Sequence, residues 1–142
     1  MKLLVASLLF TAATFAHAQT AETAQNQQAI DEAKAAADKW LALVDAGHYK
    51  ASWEQAAAPL RSAISLAQWE QGGRAARMPV GALQERTLAS STYTTTLPGA
   101  PQGRYVVLRY TTRFADRANA VETVTPMLEA DGTWRVSGYF IQ

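Results

Sequence analysis

Apolar residues recur every three or four positions from Ile30 to Val44, and beyond Gly81 the repeat shortens to two. Ile30, Ala33, Ala37, Trp40, Leu41 and Val44, with Asp31, Glu32, Lys34, Asp38 and Lys39 between them, predict an amphipathic helix ending near Ala46. Gly47 stands where a left-handed C-terminal cap is wanted, a conformation that costs glycine nothing. Tyr49, Trp53 and Ala56 carry a one-sided stripe as far as Pro59, which has no amide donor with which to extend a helix, so a short second helix is expected. A third begins at Ser65, which forms an S-x-x-Q capping box with Gln68, with Ile64 and Trp69 at the staple positions. Met78-Pro79 and then Gly81 bring it to an end.

The period-two region predicts four strands: Leu83 to Leu97, Arg104 to Phe114, Ala120 to Leu128 and Thr133 to Ile141. A Pro98 to Gly103 loop separates the first two, a polar turn at Asp116-Arg117 joins the next two, and Asp131-Gly132 marks the last hairpin. Helices followed by antiparallel strands make an α+β fold, three N-terminal helices packed on a four-stranded antiparallel sheet. With turns centred on Asp116-Arg117 and Asp131-Gly132, alternation gathers Leu108, Tyr110, Phe114, Val121, Met127, Trp134, Val136 and Phe140 on the helix-covered face. The opposite face then carries Val107, Arg109, Arg113, Glu122, Val124, Tyr139 and Ile141, with Glu122 opposite Thr111. That face reads either as a solvated sheet surface or as a surface for a protein partner or a second copy of the chain.

Composition adds a location. Lys2, the apolar stretch from Leu3 to Phe15 and the small-x-small Ala16-His17-Ala18 predict a cleaved export signal over residues 1–18, too short to span a bilayer. The mature chain would begin at Gln19, with a flexible polar leader over 19–28 and one α+β domain over 29–142. Export implies the periplasm or the outside medium. Of the 13 basic residues only Lys2 is lost, which leaves 12 against 12 acidic, and this even balance gives no footprint for nucleic acid. The chain has no cysteine, so it has neither disulfides nor thiol chemistry. His48 is the only histidine after processing, Gly72-Gly73 lacks the surroundings of a phosphate loop, and no set of metal ligands gathers in the sequence. No cofactor or metal is expected.

The segments WLALVDAGHYKASWEQ (Trp40 to Gln55), YTTTLPGAPQGRYVVLRY (Tyr93 to Tyr110), VETVTPM (Val121 to Met127) and DGTWRVSGY (Asp131 to Tyr139) resemble the domain of unknown function 4019 family of small exported bacterial proteins. More distantly, the order of elements is similar to the nuclear transport factor 2-like or cystatin-like arrangement, which implies a cone-shaped roll with a pocket at its mouth. In such a cone a carboxylate can serve as base and a tyrosine as oxyanion donor, and Asp45, Tyr49 and Tyr110 are the residues this resemblance would use. Against this stands the plainer reading of Asp45 as a solvated residue and of both tyrosines as core aromatics. Three functions therefore remain open. The first is a non-enzymatic exported domain that binds an envelope protein or a small apolar ligand, its partner seated on the outer sheet face around Val107, Val124 and Tyr139. The others are a cone-fold enzyme and a cystatin-like inhibitory module acting through the loop Pro98 to Gly103.

Overall fold

The computed structural model describes residues 12–142, with side chains from residue 19 onward. The expected export segment, residues 1–18, lies outside the residues whose side chains are described. Helix α1 runs from Ala12 to Asp45, followed by α2 (Tyr49–Glu54), α3 (Ala58–Ala63), α4 (Leu66–Arg77) and a 3-10 turn over Met78–Val80. Four strands follow, β1 (Leu83–Thr94), β2 (Tyr105–Phe114), β3 (Arg117–Leu128) and β4 (Trp134–Ile141), paired antiparallel in the order β1-β2-β3-β4. The α+β architecture is as the sequence predicts. No helix among the described residues is long and apolar enough to cross a membrane.

The helix ends follow local chemistry. Gly47 has φ +73° and closes α1 with two bonds, His48 N to Leu43 O (2.8 Å) and Gly47 N to Val44 O (3.0 Å), which together form a Schellman motif. At α4 the capping box is complete: Gln68 N donates to Ser65 Oγ (3.3 Å) and Ser65 N donates to Gln68 Oε1 (3.0 Å). Two expectations need correction. α2 ends at Glu54, well before Pro59, which instead sits in the first turn of the additional helix α3, where its missing N–H is not needed. The stretch 19–28, expected as an unordered leader, is helical and continuous with α1. One-turn side-chain bonds, Gln27 to Asp31 and Gln28 to Glu32 (both 2.9 Å), together with glutamines and alanines that favour helix, sustain it where burial does not.

α1 lies across the sheet and touches all four strands. Its stripe of Ala33, Ala37, Trp40, Leu41 and Val44 meets Val106, Leu108, Tyr110, Val124, Trp134 and Val136 in one buried cluster. A smaller cluster of Val80, Phe114 and Ala120 closes the far end, with Leu83 and Ile141 against it. Ala57 N donates to Val136 O (2.8 Å), which ties the α2–α3 connection to β4.

The register of β3 and β4 departs from expectation, and the departure moves the candidate surface. Phe114 pairs with Arg117, so the turn is Ala115-Asp116, and an irregularity between Thr112 and Phe114 sets Tyr110 opposite Glu122. A one-residue slip exchanges the faces of a strand. Glu122 and Val124 therefore point into the core, both fully buried, while Val121 and Met127 face outward, half-buried. A second irregularity at Pro126, which has no ladder donor, lets Val136 pair with Pro126 and Gly138 with Thr125. Ser137 is the extra residue. Beyond it Tyr139 and Ile141 join the helix-covered face with Trp134 and Val136, and Phe140 is turned outward, 64% exposed. Of the seven residues expected on the outer surface, only Val107, Arg109 and Arg113 are there.

Candidate functional site

Two features stand out, a chain of paired charges inside the fold and a groove on its flank. The chain of charges begins at Glu122, whose carboxylate is fully buried in the middle of β3. It accepts Arg86 Nε (2.6 Å), Arg86 Nη2 (3.0 Å), Thr112 Oγ1 (2.6 Å) and the Tyr139 hydroxyl. Arg86, inward-facing on β1, reaches on to Asp45 at the end of α1, with Nη1 on Oδ2 (2.7 Å) and Nη2 on Oδ1 (2.9 Å). Arg77, at the end of α4, brings its Nη2 to the same Asp45 Oδ1 (2.9 Å) and stacks its guanidinium 4.8 Å from the centre of the Phe114 ring. Two carboxylates and two guanidiniums thus balance. Burial alone would lower the Arg86 pKa, but the bonds from Asp45 and Glu122 outweigh it and hold it above its ordinary value. Burial, then the Glu122 charge and hydrogen bond, push the Tyr139 hydroxyl up.

The residues named as catalytic candidates do not converge. Both Asp45 oxygens are already occupied by guanidinium donors. Tyr110 gives its hydroxyl to Asp38 Oδ1 (3.2 Å), and burial followed by the Asp38 charge raises its pKa. Tyr49 is buried at the start of α2 against Gly73, with the Arg74 guanidinium 5.9 Å from its ring centre. His48 is exposed and makes no side-chain cap bond. Among the described residues no three His, Asp, Glu or Cys side chains could together hold a metal ion.

Sequence reasoning placed Glu122 on the wrong face and passed over Arg77, Arg86 and Thr112. Arg86 carried a usable signal, since it shares strand parity with Leu88, and a charge at an inward position needs a buried partner. Its partner was hidden by the slipped register.

All four tryptophans are committed to packing through a bonded indole. Trp40 Nε1 donates to Ser52 O (2.8 Å), Trp69 Nε1 to Ser52 Oγ (2.9 Å), Trp53 Nε1 to Ile64 O (2.9 Å) and Trp134 Nε1 to Glu32 Oε2 (3.3 Å). Trp40 also packs edge-on against Tyr139, 5.5 Å between ring centres. Trp40 and Trp134 have a second duty. With Val136 they line the groove between α1 and the start of β4, a space of about 700 Å³. Glu32, Ala35, Ala36 and Lys39 of α1 form one wall, Gly132 to Val136 form the other, and Glu54 and Gln55 close one end. Ligand sites commonly fall in this size range.

The family model described as a protein of unknown function (DUF4019) matches residues 36–139. The chain belongs to that family. The DUF4019 match contains the whole ionic chain, from Asp45 to Tyr139, whereas the groove straddles its boundary: Ala36, Lys39, Trp40 and Trp134 lie inside it and Glu32 and Ala35 precede it. Neither a curated protein nor a solved structure matches this member of the DUF4019 family.

Proposed function

We propose that this chain is an exported, non-enzymatic domain that holds a segment of an envelope protein in the groove between α1 and β4. The observation that carries the proposal is the groove itself, an open trough with two tryptophans and Val136 in its lining, each indole pinned by a hydrogen bond. Trp40, Trp134 and Val136 are themselves buried, 3%, 7% and 1% exposed, so they give the groove a rigid floor. The surface a partner meets is chiefly that of Ala35, Ala36 and the flanking polar side chains, and a floor already fixed loses little entropy on binding. The rim of Glu32, Lys39, Glu54 and Gln55 is polar and exposed, which suits a protein segment better than a small apolar ligand. Export, the periplasm or the outside medium as its place of work, and the absence of catalysis belong to the same proposal.

The other readings have weaker support. An Asp45 base would have to give up guanidinium donors before accepting a proton. A partner docked on the outer sheet face cannot use Val124 or Tyr139, which pack beneath the helices. The loop Pro98 to Gly103 is bonded back to its own sheet by Gly103 N to Thr95 O (3.1 Å) and by the Tyr105 hydroxyl to Pro101 O (2.8 Å). That leaves it a poor reaching element for an inhibitor.

A photoreactive side chain placed at Ala35 on the groove wall, and in a second variant at Arg109 on the outer face, tests the proposal in cells that export the chain. The expected result is a discrete protein adduct from position 35 and none from position 109. The reverse pattern overturns the groove as the site.

A further inference from the structure

A second cleft lies at the end of the sheet where β1 and β3 finish and β2 and β4 begin. There α1 and the strand ends enclose a space of about 370 Å³, at the small end of the range for ligand sites. Its floor is apolar. Tyr93, next to last in β1, and Leu128, the last residue of β3, are half-buried against the core and leave part of their surface to the cleft, as does Ala29 of α1. Glu32 and Trp134, joined by the indole bond at 3.3 Å, line both this cleft and the groove and so mark the border between them.

The walls are polar and their groups are unengaged. Along α1, Gln27 and Gln28 donate to Asp31 and Glu32 one turn further on, but the residues one turn beyond Gln25 and Asn26 are Ala29 and Ile30, which offer no side-chain partner. Arg104, directly before β2, lines the cleft from the sheet side. Among the described residues, the side chains of Gln25, Asn26, Tyr93 and Arg104 make no hydrogen bond or ion pair.

The chemistry of these groups narrows the ligand. Each amide both donates and accepts, the guanidinium only donates, and the Glu32 carboxylate keeps lone pairs beyond those taken by Gln28 and Trp134. A matching ligand must therefore give and accept hydrogen bonds. Glu32 and Arg104 are the two charged side chains of the lining and their charges cancel, so a net charge on the ligand gains nothing. A wholly apolar ligand would cover the amides and leave them without partners. Neutral hydroxyls meet both demands, because each donates once and accepts twice, and the C–H face of a sugar ring suits the half-open Tyr93 ring and Leu128.

We infer that this cleft is a saccharide subsite, separate from the groove, which takes a neutral hexose or N-acetylhexosamine unit with its hydroxyls toward Gln25, Asn26 and Arg104 and its apolar face on Tyr93 and Leu128. It stands whether or not the groove holds a protein segment.

The test titrates the full mature chain, isotope-labelled for nuclear magnetic resonance, with maltose and with N,N′-diacetylchitobiose, and follows the side-chain N–H signals of Gln25, Asn26 and Arg104. At least one disaccharide should shift these signals to saturation. Asn26→Ala and Arg104→Gln, both outside the buried core, should each weaken that binding about tenfold, whereas Ala35→Arg in the groove should leave it within about twofold of the parent. Absence of saturable shifts with either sugar overturns the inference and leaves the groove untouched. Binding that survives both cleft substitutions, or shifts of Arg104 alone that sodium acetate reproduces, overturns it as well. Sugar binding lost in Ala35→Arg would place the saccharide in the groove and contradict a separate subsite.

Discussion

Glu122 and Arg86 form a two-pronged ion pair at the centre of the sheet, Nε to Oε2 at 2.6 Å and Nη2 to Oε1 at 3.0 Å, with the carboxylate fully enclosed. An enclosed charge is tolerable only while its partners remain, so the pair couples β1 to β3 and, through Asp45, the sheet to α1. Glu122→Ala leaves Arg86 with half its acceptors and strands Thr112 and Tyr139 hydroxyls in the core. It should destabilise the fold by about 3–5 kcal/mol in urea unfolding, and Thr112→Val, which removes one bond to a charged group, by about 1.5–3 kcal/mol. A loss below 1 kcal/mol for Glu122→Ala, on the order of an exposed pair, would show that the carboxylate is not enclosed.

Tyr110 and Tyr139 should resist ionisation in base. Burial comes first among the causes, followed by the nearby carboxylates Asp38 and Glu122, and both hydroxyls lie above their ordinary value of 10.0. A proton held more tightly in the folded state contributes stability that is whole below the unfolded pKa and is lost as pH rises through the folded one. Stability should therefore decline above pH 10.0, and two of the five tyrosines should give tyrosinate absorbance only as the chain unfolds. Five tyrosines titrating together in the folded protein would contradict this.

Acid acts on the β3–β4 turn with the opposite sign. Asp131 is lowered from 3.8 to about 2, chiefly by its bond with Arg135 and then by the Thr133 backbone N–H. A depressed carboxyl contributes stability that is present above its unfolded pKa and lost as pH falls through the folded one, here between 3.8 and about 2. Carboxyl carbon shifts should give Asp131 a midpoint near 2, and Arg135→Gln should return it toward 3.8. A parent midpoint near 3.8 would mean that the turn is not closed in solution.

Gly72 and Gly73 in α4 should respond oppositely to alanine. A Cβ on Gly73 would stand 2.7 Å from Tyr49 Cδ1, whereas one on Gly72 meets nothing within 4 Å. Gly73→Ala should cost about 1–3 kcal/mol by overpacking, and Gly72→Ala should gain about 0.5–1 kcal/mol from helix propensity, both read from denaturant midpoints.

How far the sequence could be read follows from the range of each interaction. The Gly47 cap, the Ser65 capping box and the order of the four strands depend on neighbours within a few residues and were legible, although β1 stops at Thr94 short of the expected Leu97 and β3 starts at Arg117 ahead of the expected Ala120. Helix α3 was not legible, because Pro59 was read as a helix stop, whereas its missing donor equally suits the first turn of a helix, which is where it stands. The face assignment failed at two irregularities, near Arg113 and at Pro126, where one extra residue reverses everything beyond it, so Glu122, Val124, Tyr139 and Ile141 moved inward together. The groove joins residues about a hundred positions apart, Glu32 with Trp134, and no local pattern announces it.

Retention of the captured partner by two variants bears most directly on where this DUF4019 protein works. Ala35→Arg fills the groove and leaves the interior intact, while Asp45→Asn weakens the interior ionic chain and leaves the groove open. With both variants shown to be folded, partner retention should drop at least tenfold in Ala35→Arg, a change of about 1.4 kcal/mol, and stay within about twofold of the parent in Asp45→Asn. Retention that survives Ala35→Arg and disappears in Asp45→Asn would contradict the assignment and place the function at the interior charges.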